Sequence, residues 1–341
     1  MVNGQLRLGL LLSGLGILLS GSSGCSLNAM TGDVMGEYGR EHLIPHLLEY
    51  GDTGMVCQSG AALGGFLASF GRVTDASHSA LTPSYMSAAV CAEQSARNES
   101  LRGLRANRLG RAAGVIDAEI SAKRAYHLAA RRLASAFMHV VEEYGPPGEA
   151  CPTLNEQYDE LVWLLGLVSG LQGLQHDQVS GGRVGLGMDL PVQISRAAAC
   201  LDNEKWWGIP RALQAAVATA VPSEASRFED PWRELEASAV KGRLAGVRLA
   251  GAIMIRAAHG AGRDDVRDRG ITDHARSLSE RASHPQYVTL DRIATEEILG
   301  ISDGIWTEAT GHRTPYGELG KWPKQGEADI EEEDDLLDDL E

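Results

Sequence analysis

Apolar and polar positions in the middle of the chain repeat with a helical period. Ile116, Ile120, His127, Ala130, Ala134, Phe137, Val141 and Tyr144 fall three, four or seven apart, so they share one face of a helix. Lys123 interrupts the stripe, and Arg131, Arg132, Glu142 and Glu143 flank it, as a half-buried helix requires. Start signals recur. Thr82-Pro83 and Asp230-Pro231 place a capping side chain before a proline suited to the first helical position. Thr153 and Glu156 have the spacing of a reciprocal cap. Stop signals follow at Tyr144-Gly-Pro-Pro-Gly148 and around His259–Gly262. The pattern predicts helices over 29–50, 54–70, 83–108, 110–144, 154–177, 190–202, 209–220, 231–259, 264–283 and 289–309. No alternating strand run with a hairpin turn occurs. The expected fold class is all-α, an array or bundle of antiparallel helical hairpins. Degenerate repeats of the tetratricopeptide kind are one form it can take: Cys57 and Cys91 are one such period apart, although no full repeat consensus recurs.

The first two dozen residues read as an address. Arg7 supplies a thin positive region, Leu8–Leu19 is an apolar run, and small residues follow to Gly24. A dozen apolar residues are too few to span a hydrocarbon core about 30 Å thick as a stable helix. Cys25 then stands where a bacterial lipoprotein carries its acylated cysteine, with Ser22 where such signals usually carry Leu. The expectation is a signal over 1–24, lipidation at Cys25, and a chain anchored at the periplasmic face of a bacterial membrane. Ser26 after the cysteine points to the outer one. The alternative is an ordinary signal with a chance cysteine. The rest divides into a helical body over 25–320, with one candidate internal boundary at 145–152, and a disordered acidic tail over 321–341.

Charge sharpens this division. The chain of 341 residues carries a net −15, and ten carboxylates lie in its last fifteen residues, so the remainder carries only −5. An acidic balance of this kind excludes the basic footprint of a nucleic-acid binder. Four further cysteines, Cys57, Cys91, Cys151 and Cys200, suit two disulfides in an oxidising compartment. Three pairings are open. Cys57–Cys91 with Cys151–Cys200 is preferred because each staples neighbouring segments, and buried free thiols are the alternative.

Candidate chemistry is sparse. Trp206 and Trp207 stand together before Gly208-Ile209-Pro210 in an aromatic-poor chain, which makes them the first candidates for an interface or pocket; wedging into the core is the competing reading. Arg102, Arg105, Arg108 and Arg111 recur every three residues and would form a basic ridge for an anion or an acidic partner, or a solvated face with ordinary ion pairs. Gly181–Gly187 lacks the strand before it and the glycine spacing that a phosphate loop needs, so it reads as an interhelical loop. His42 and His46 are four apart with Pro45 between them, and Ser238 and Lys241 match a short dyad pattern. Neither pair is assigned a metal or a catalytic role, and no cofactor is called for.

Taken with Gly24-Cys25-Ser26-Leu27, the segments Leu161-Val-Trp-Leu-Leu-Gly-Leu167 and Trp206-Trp-Gly-Ile-Pro-Arg-Ala-Leu-Gln-Ala-Ala-Val217 resemble the TatT-type T-components of TRAP transporters. Those are periplasmic lipoproteins with a helical-repeat fold. The resemblance covers most of residues 25–310. It implies a non-enzymatic scaffold, a homo-oligomer in some cases, that binds a small ligand or docks a periplasmic solute-binding protein. The acidic tail and the glycine-rich stretch 181–187 are not part of that pattern. The alternatives are an exported enzyme whose histidines and carboxylates are dispersed in sequence, and a structural envelope lipoprotein.

Overall fold

The computed structural model describes residues 23–75, 77–148 and 150–323. The apolar run 8–19, the side chain of Cys25 and the acidic block 327–341 lie outside the described residues. Within them the protein is all-α.

Helix α1 (Ser23–Tyr38), a π-helical turn (Gly39–Leu43) and α2 (Ile44–Tyr50) run on as one rod. Pro45 explains the turn. It has no N–H to return to the Glu41 carbonyl, and the wider turn just before it, where the Ile44 amide bonds the Gly39 carbonyl, absorbs the mismatch. Helix α3 (Thr53–Phe70) opens under an Asp52 cap that accepts from the Met55 amide at 2.9 Å. Helices α4 (His78–Arg108) and α5 (Ala112–Tyr144), of 31 and 33 residues, form the longest hairpin.

Two expected helix starts are displaced, the first by a distant partner and the second by a local cap a few residues on. Thr82 does not cap α4, which begins at His78 and carries Pro83 inside it. The Ser79 carbonyl that Pro83 cannot bond is taken instead by the Tyr158 hydroxyl at 3.0 Å. Thr153 does not open α6 (Gln157–Ser180); Glu156 does, and Asp159 returns to the Glu156 amide at 3.1 Å.

Helix α6 is buried almost all round and packs on α5 through a glycine edge. A Cβ at Gly166 would lie 2.2 Å from Val140, and one at Gly170 would lie 2.8 Å from Phe137. The successive residues Leu133, Phe137 and Val140 of α5 therefore seat into the groove left by Gly173, Gly170 and Gly166.

The chain continues through α7 (Leu190–Ala198), α8 (Ile209–Ala220), α9 (Pro222–Ala225), α10 (Pro231–Ala245), α11 (Leu249–Gly260), α12 (Asp264–Glu280), a 3-10 turn (Pro285–Tyr287) and α13 (Val288–Thr310). Asp230 caps α10 as its position before Pro231 foretells, accepting from the Trp232 amide at 2.9 Å. The helix expected over 231–259 is two helices, because Gly246 turns left-handed at φ 73° against the Ala282–His284 backbone. That break delivers Arg248 into the core. Its guanidinium reaches Asp291 Oδ2 at 2.5 Å, Ser277 Oγ at 2.7 Å and the Ser277 and Arg281 carbonyls, while its own amide donates to Asp291 Oδ1 at 2.8 Å.

Helix α13 closes the fold on its own beginning. Thr289 donates to the Leu47 carbonyl at 2.6 Å, and Glu296 takes hydrogen bonds from Gln94 and Thr53. One hydrophobic cluster runs from Ile44 to Ile298 and includes residues on both sides of the 145–152 segment. Cys57 is bonded to Cys91 across α3 and α4, and Cys151 to Cys200 across the α5–α6 link and the end of α7, with Cα separations of 5.6 and 5.4 Å. At the far end the Lys321 carbonyl accepts from the Trp306 indole at 3.2 Å, and Trp322 packs on the core, so 321–323 belong to the body.

Arg248 and Asp291 are 0 % and 1 % exposed, and removing one partner strands the other's charge. Asp291→Ala should cost about 3–5 kcal/mol in denaturant unfolding. The double change Arg248→Met with Asp291→Leu should recover much of that loss.

Candidate functional site: a cleft beside a buried polar cluster

Small residues create a cleft. Ala216 and Ala220 on α8 and Ala257, Gly260 and Ala261 around the end of α11 leave space opposite α6, in a cleft of about 490 Å³. Leu171, Leu213, Val217 and Ile253 supply apolar wall, and Met188 and Pro191 border it near the start of α7. The polar lining comes from Gln172, Gln175, Gln178, Thr219 and Arg256, with no carboxylate among the lining residues. A mostly apolar recess with a few fixed polar groups is the ordinary shape of a small-molecule site.

Arg256 joins this cleft to a polar cluster made by four helices. Its guanidinium pairs with Glu297 of α13 at 3.0 Å and acts electrostatically on Glu93 of α4. Glu93 Oε1 lies 2.7 Å from His176 Nε2 on α6, and Tyr126 of α5 stacks on the His176 ring at 5.2 Å. Burial pushes the Glu93 carboxyl up, but the hydrogen bond and charge of His176, with Arg97 and Arg256 behind, hold it below its usual range. An ionised Glu93 only accepts, so Nε2 carries the imidazole proton. The second Glu297 oxygen is buried without a hydrogen-bond partner among the described residues. The arrangement can orient an imidazole, and it can present a guanidinium to an apolar recess.

The residues singled out from sequence lie elsewhere. Trp206 is 0 % exposed and Trp207 9 %, so both are core residues and neither presents an outer surface. The Trp206 indole donates to Glu160 at 2.7 Å, and Trp207 packs on Tyr287 at 4.6 Å. Trp207 holds a φ of 53°, the one non-glycine residue with positive φ among those described; the left-handed turn it begins is completed by Gly208 pressed on the Ser238 carbonyl. The arginines do not act as one ridge. Arg102 binds Glu99 and Asp117, whereas Arg105 and Arg108 donate to carbonyls at the end of α13, of Gly311 for the first and of Glu308 and Ala309 for the second. Such cations complement the negative end of a helix. His42 packs on Tyr38 and His46 on Tyr50. No set of three or more His, Cys, Asp or Glu that would hold a metal ion occurs among the described residues. Ser238 is buried, and Lys241 pairs with Glu204. The 181–187 loop folds around Asp177, whose carboxylate accepts from the Val184 and Gly185 amides at 2.8 and 3.0 Å.

The cluster itself escaped notice in the sequence. A signal existed in Gln172 and His176, one helical turn apart in an otherwise Leu- and Gly-rich helix, and in Arg256 inside Ile253-Met-Ile-Arg-Ala257. Compared with protein-family models, with curated proteins and with solved structures, the chain finds no match.

Two other histidines are held neutral by their surroundings. His139 Nδ1 faces His78 Nδ1 at 2.9 Å, and burial with the charge of His78 lowers its pKa to about 4. Thr295 gives its hydroxyl proton to the Asp291 carbonyl, so His274 Nε2 donates to Thr295 and Nδ1 stays bare. Burial, then Arg248 and Arg243, lower the His274 pKa to about 3. A folded pKa below the unfolded value of about 6.5 means the unfolded chain binds the extra proton, so this stability is present above that pH and fades as pH falls below it. Between pH 7 and pH 4 His274 should account for about 3 kcal/mol of lost stability. Urea unfolding of His274→Gln should show a correspondingly shallower decline over that interval.

Proposed function

We propose that this chain is a periplasm-facing, membrane-anchored helical protein that binds a small ligand without transforming it, in the manner of a transporter accessory component. The observation that carries the reading is the cleft between α6, α8 and α11. Its apolar wall, its amides and its single guanidinium suit a small amphiphile with one polar end. The lipoprotein-like start and the resemblance to T-components support the anchored, non-enzymatic part of the reading.

One observation favours a second reading, an exported enzyme: the hydrogen-bonded Glu93–His176 pair, a carboxylate orienting an imidazole as a general base requires. The two differ in what happens to a bound molecule. On the binding reading, a ligand that co-purifies with the protein is recovered chemically unchanged after incubation.

Anilinonaphthalene sulfonate, an anionic amphiphile, serves as a probe of the cleft. Ala216→Phe fills the space and should weaken its binding about tenfold or more, a factor that corresponds to about 1.4 kcal/mol. Leu244→Gln, exposed on α10 and not among the residues lining the cleft, should leave the affinity within about twofold. Unchanged affinity in Ala216→Phe, with the fold intact by circular dichroism, would remove the cleft from the proposal.

A further inference from the structure

Helix α1 has three differently equipped sides. Gly32 and Gly36 face inward: a Cβ at Gly32 would lie 2.5 Å from Thr74 and 3.3 Å from Phe70, and one at Gly36 would lie 2.9 Å from Ser77. The inner side is therefore bare backbone seated on the end of α3 and the approach to α4. Asp33 and Glu37 form a flank, the first bonded to Thr74 and the second 3.8 Å from Arg40. The outer side carries Leu27, Met30, Val34 and Tyr38, exposed by 60, 58, 61 and 53 %. At 100° per residue these four fall within an arc of about 80°, opposite the glycines. Phe66, 48 % exposed, meets edge-on at 5.1 Å the Phe70 that α1 rests against.

From this placement we propose that the outer side of α1 lies flat on a lipid bilayer, with Leu27, Met30, Val34 and Tyr38 sunk into the headgroup–acyl boundary. The inference rests on the anchored reading given above and adds to it the orientation of the body. Three observations choose the bilayer as occupant. Chain outside the described residues enters α1 directly, and Cys25, where the anchored reading puts the lipid, stands two positions before Leu27, so the anchor holds this stripe within reach of the membrane. The stripe is one helix side about 16 Å long at 1.5 Å per residue, far from the 20 or so residues a side that a stable dimer buries. Among the described residues α1 meets the body through its glycine side and, at Asp33, its flank, which leaves the outer side to meet a plane. The acidic flank makes zwitterionic lipid the fitting surface, because Asp33 and Glu37 gain nothing from anionic headgroups.

The test uses the full chain purified from membranes and placed on phosphatidylcholine vesicles, with a reporter tryptophan at Val34 and, separately, at Met30. Val179→Trp, at an exposed position on α6, is the control. Vesicle flotation reads the anchor; quenching by phosphatidylcholine brominated on its acyl chains reads the stripe. The expected result is flotation, with the added Val34 and Met30 fluorescence reduced at least twofold by brominated lipid and the Val179 fluorescence unchanged. Flotation with no quenching at either position overturns the proposal and leaves the anchor standing. Failure to float overturns both. Loss of quenching together with concentration-dependent dimerisation in sedimentation assigns the stripe to a second copy of the chain and likewise overturns it.

Discussion

The buried pairing of Arg248 with Asp291 fixes where the second half of the molecule stands. Arg248 sits at the break between α10 and α11, Asp291 in the first turn of α13, and the carbonyls that complete the guanidinium's shell close α12. Three helix ends therefore meet on one cation. Two charges taken out of water are tolerated only with near-complete hydrogen bonding, and here the carboxylate also accepts from Ser283 at 2.6 Å. The consequence reaches the cleft, because Arg256 lies about two turns beyond Arg248 and Glu297 less than two turns beyond Asp291. Their 3.0 Å contact is possible because the node behind them sets the relative height of the two helices.

Periodicity made the helices legible, since each buries a stripe that local spacing announces. The cap at Asp230 was legible because its partner is local; at Thr82 the deciding partner is distant, and at Thr153 a second local cap, Glu156 with Asp159, took over one turn later. Pro83 looked like a first helical residue because nothing near it in sequence reveals that Tyr158 stands ready for the carbonyl it orphans. Gly246 looked like one more small residue in a helix of small residues. Its left-handed turn is required by the Ala282–His284 segment, some forty residues later. The same reason governs the candidate site. Trp206 and Trp207 stand out in composition, but composition does not say which side of a turn faces water. Glu93, His176, Arg256 and Glu297 come from four helices and share no spacing, so only the packing brings them together.

What the polar cluster is for follows from where its charges point. Glu93 is answered by His176, Arg97 and Arg256, and Arg256 in turn by Glu297, so the buried charges are compensated among themselves. Compensation of this kind is what a buried network needs in order to persist. A general base needs more: its basic nitrogen must reach a reacting atom. His176 gives Nε2 to Glu93 and its face to Tyr126, and it is not among the residues lining the cleft, whereas Arg256 is. The group offered to an occupant of the cleft is thus a guanidinium held in place from behind. On the binding reading proposed above, the imidazole and two carboxylates orient one cation at the edge of an apolar recess.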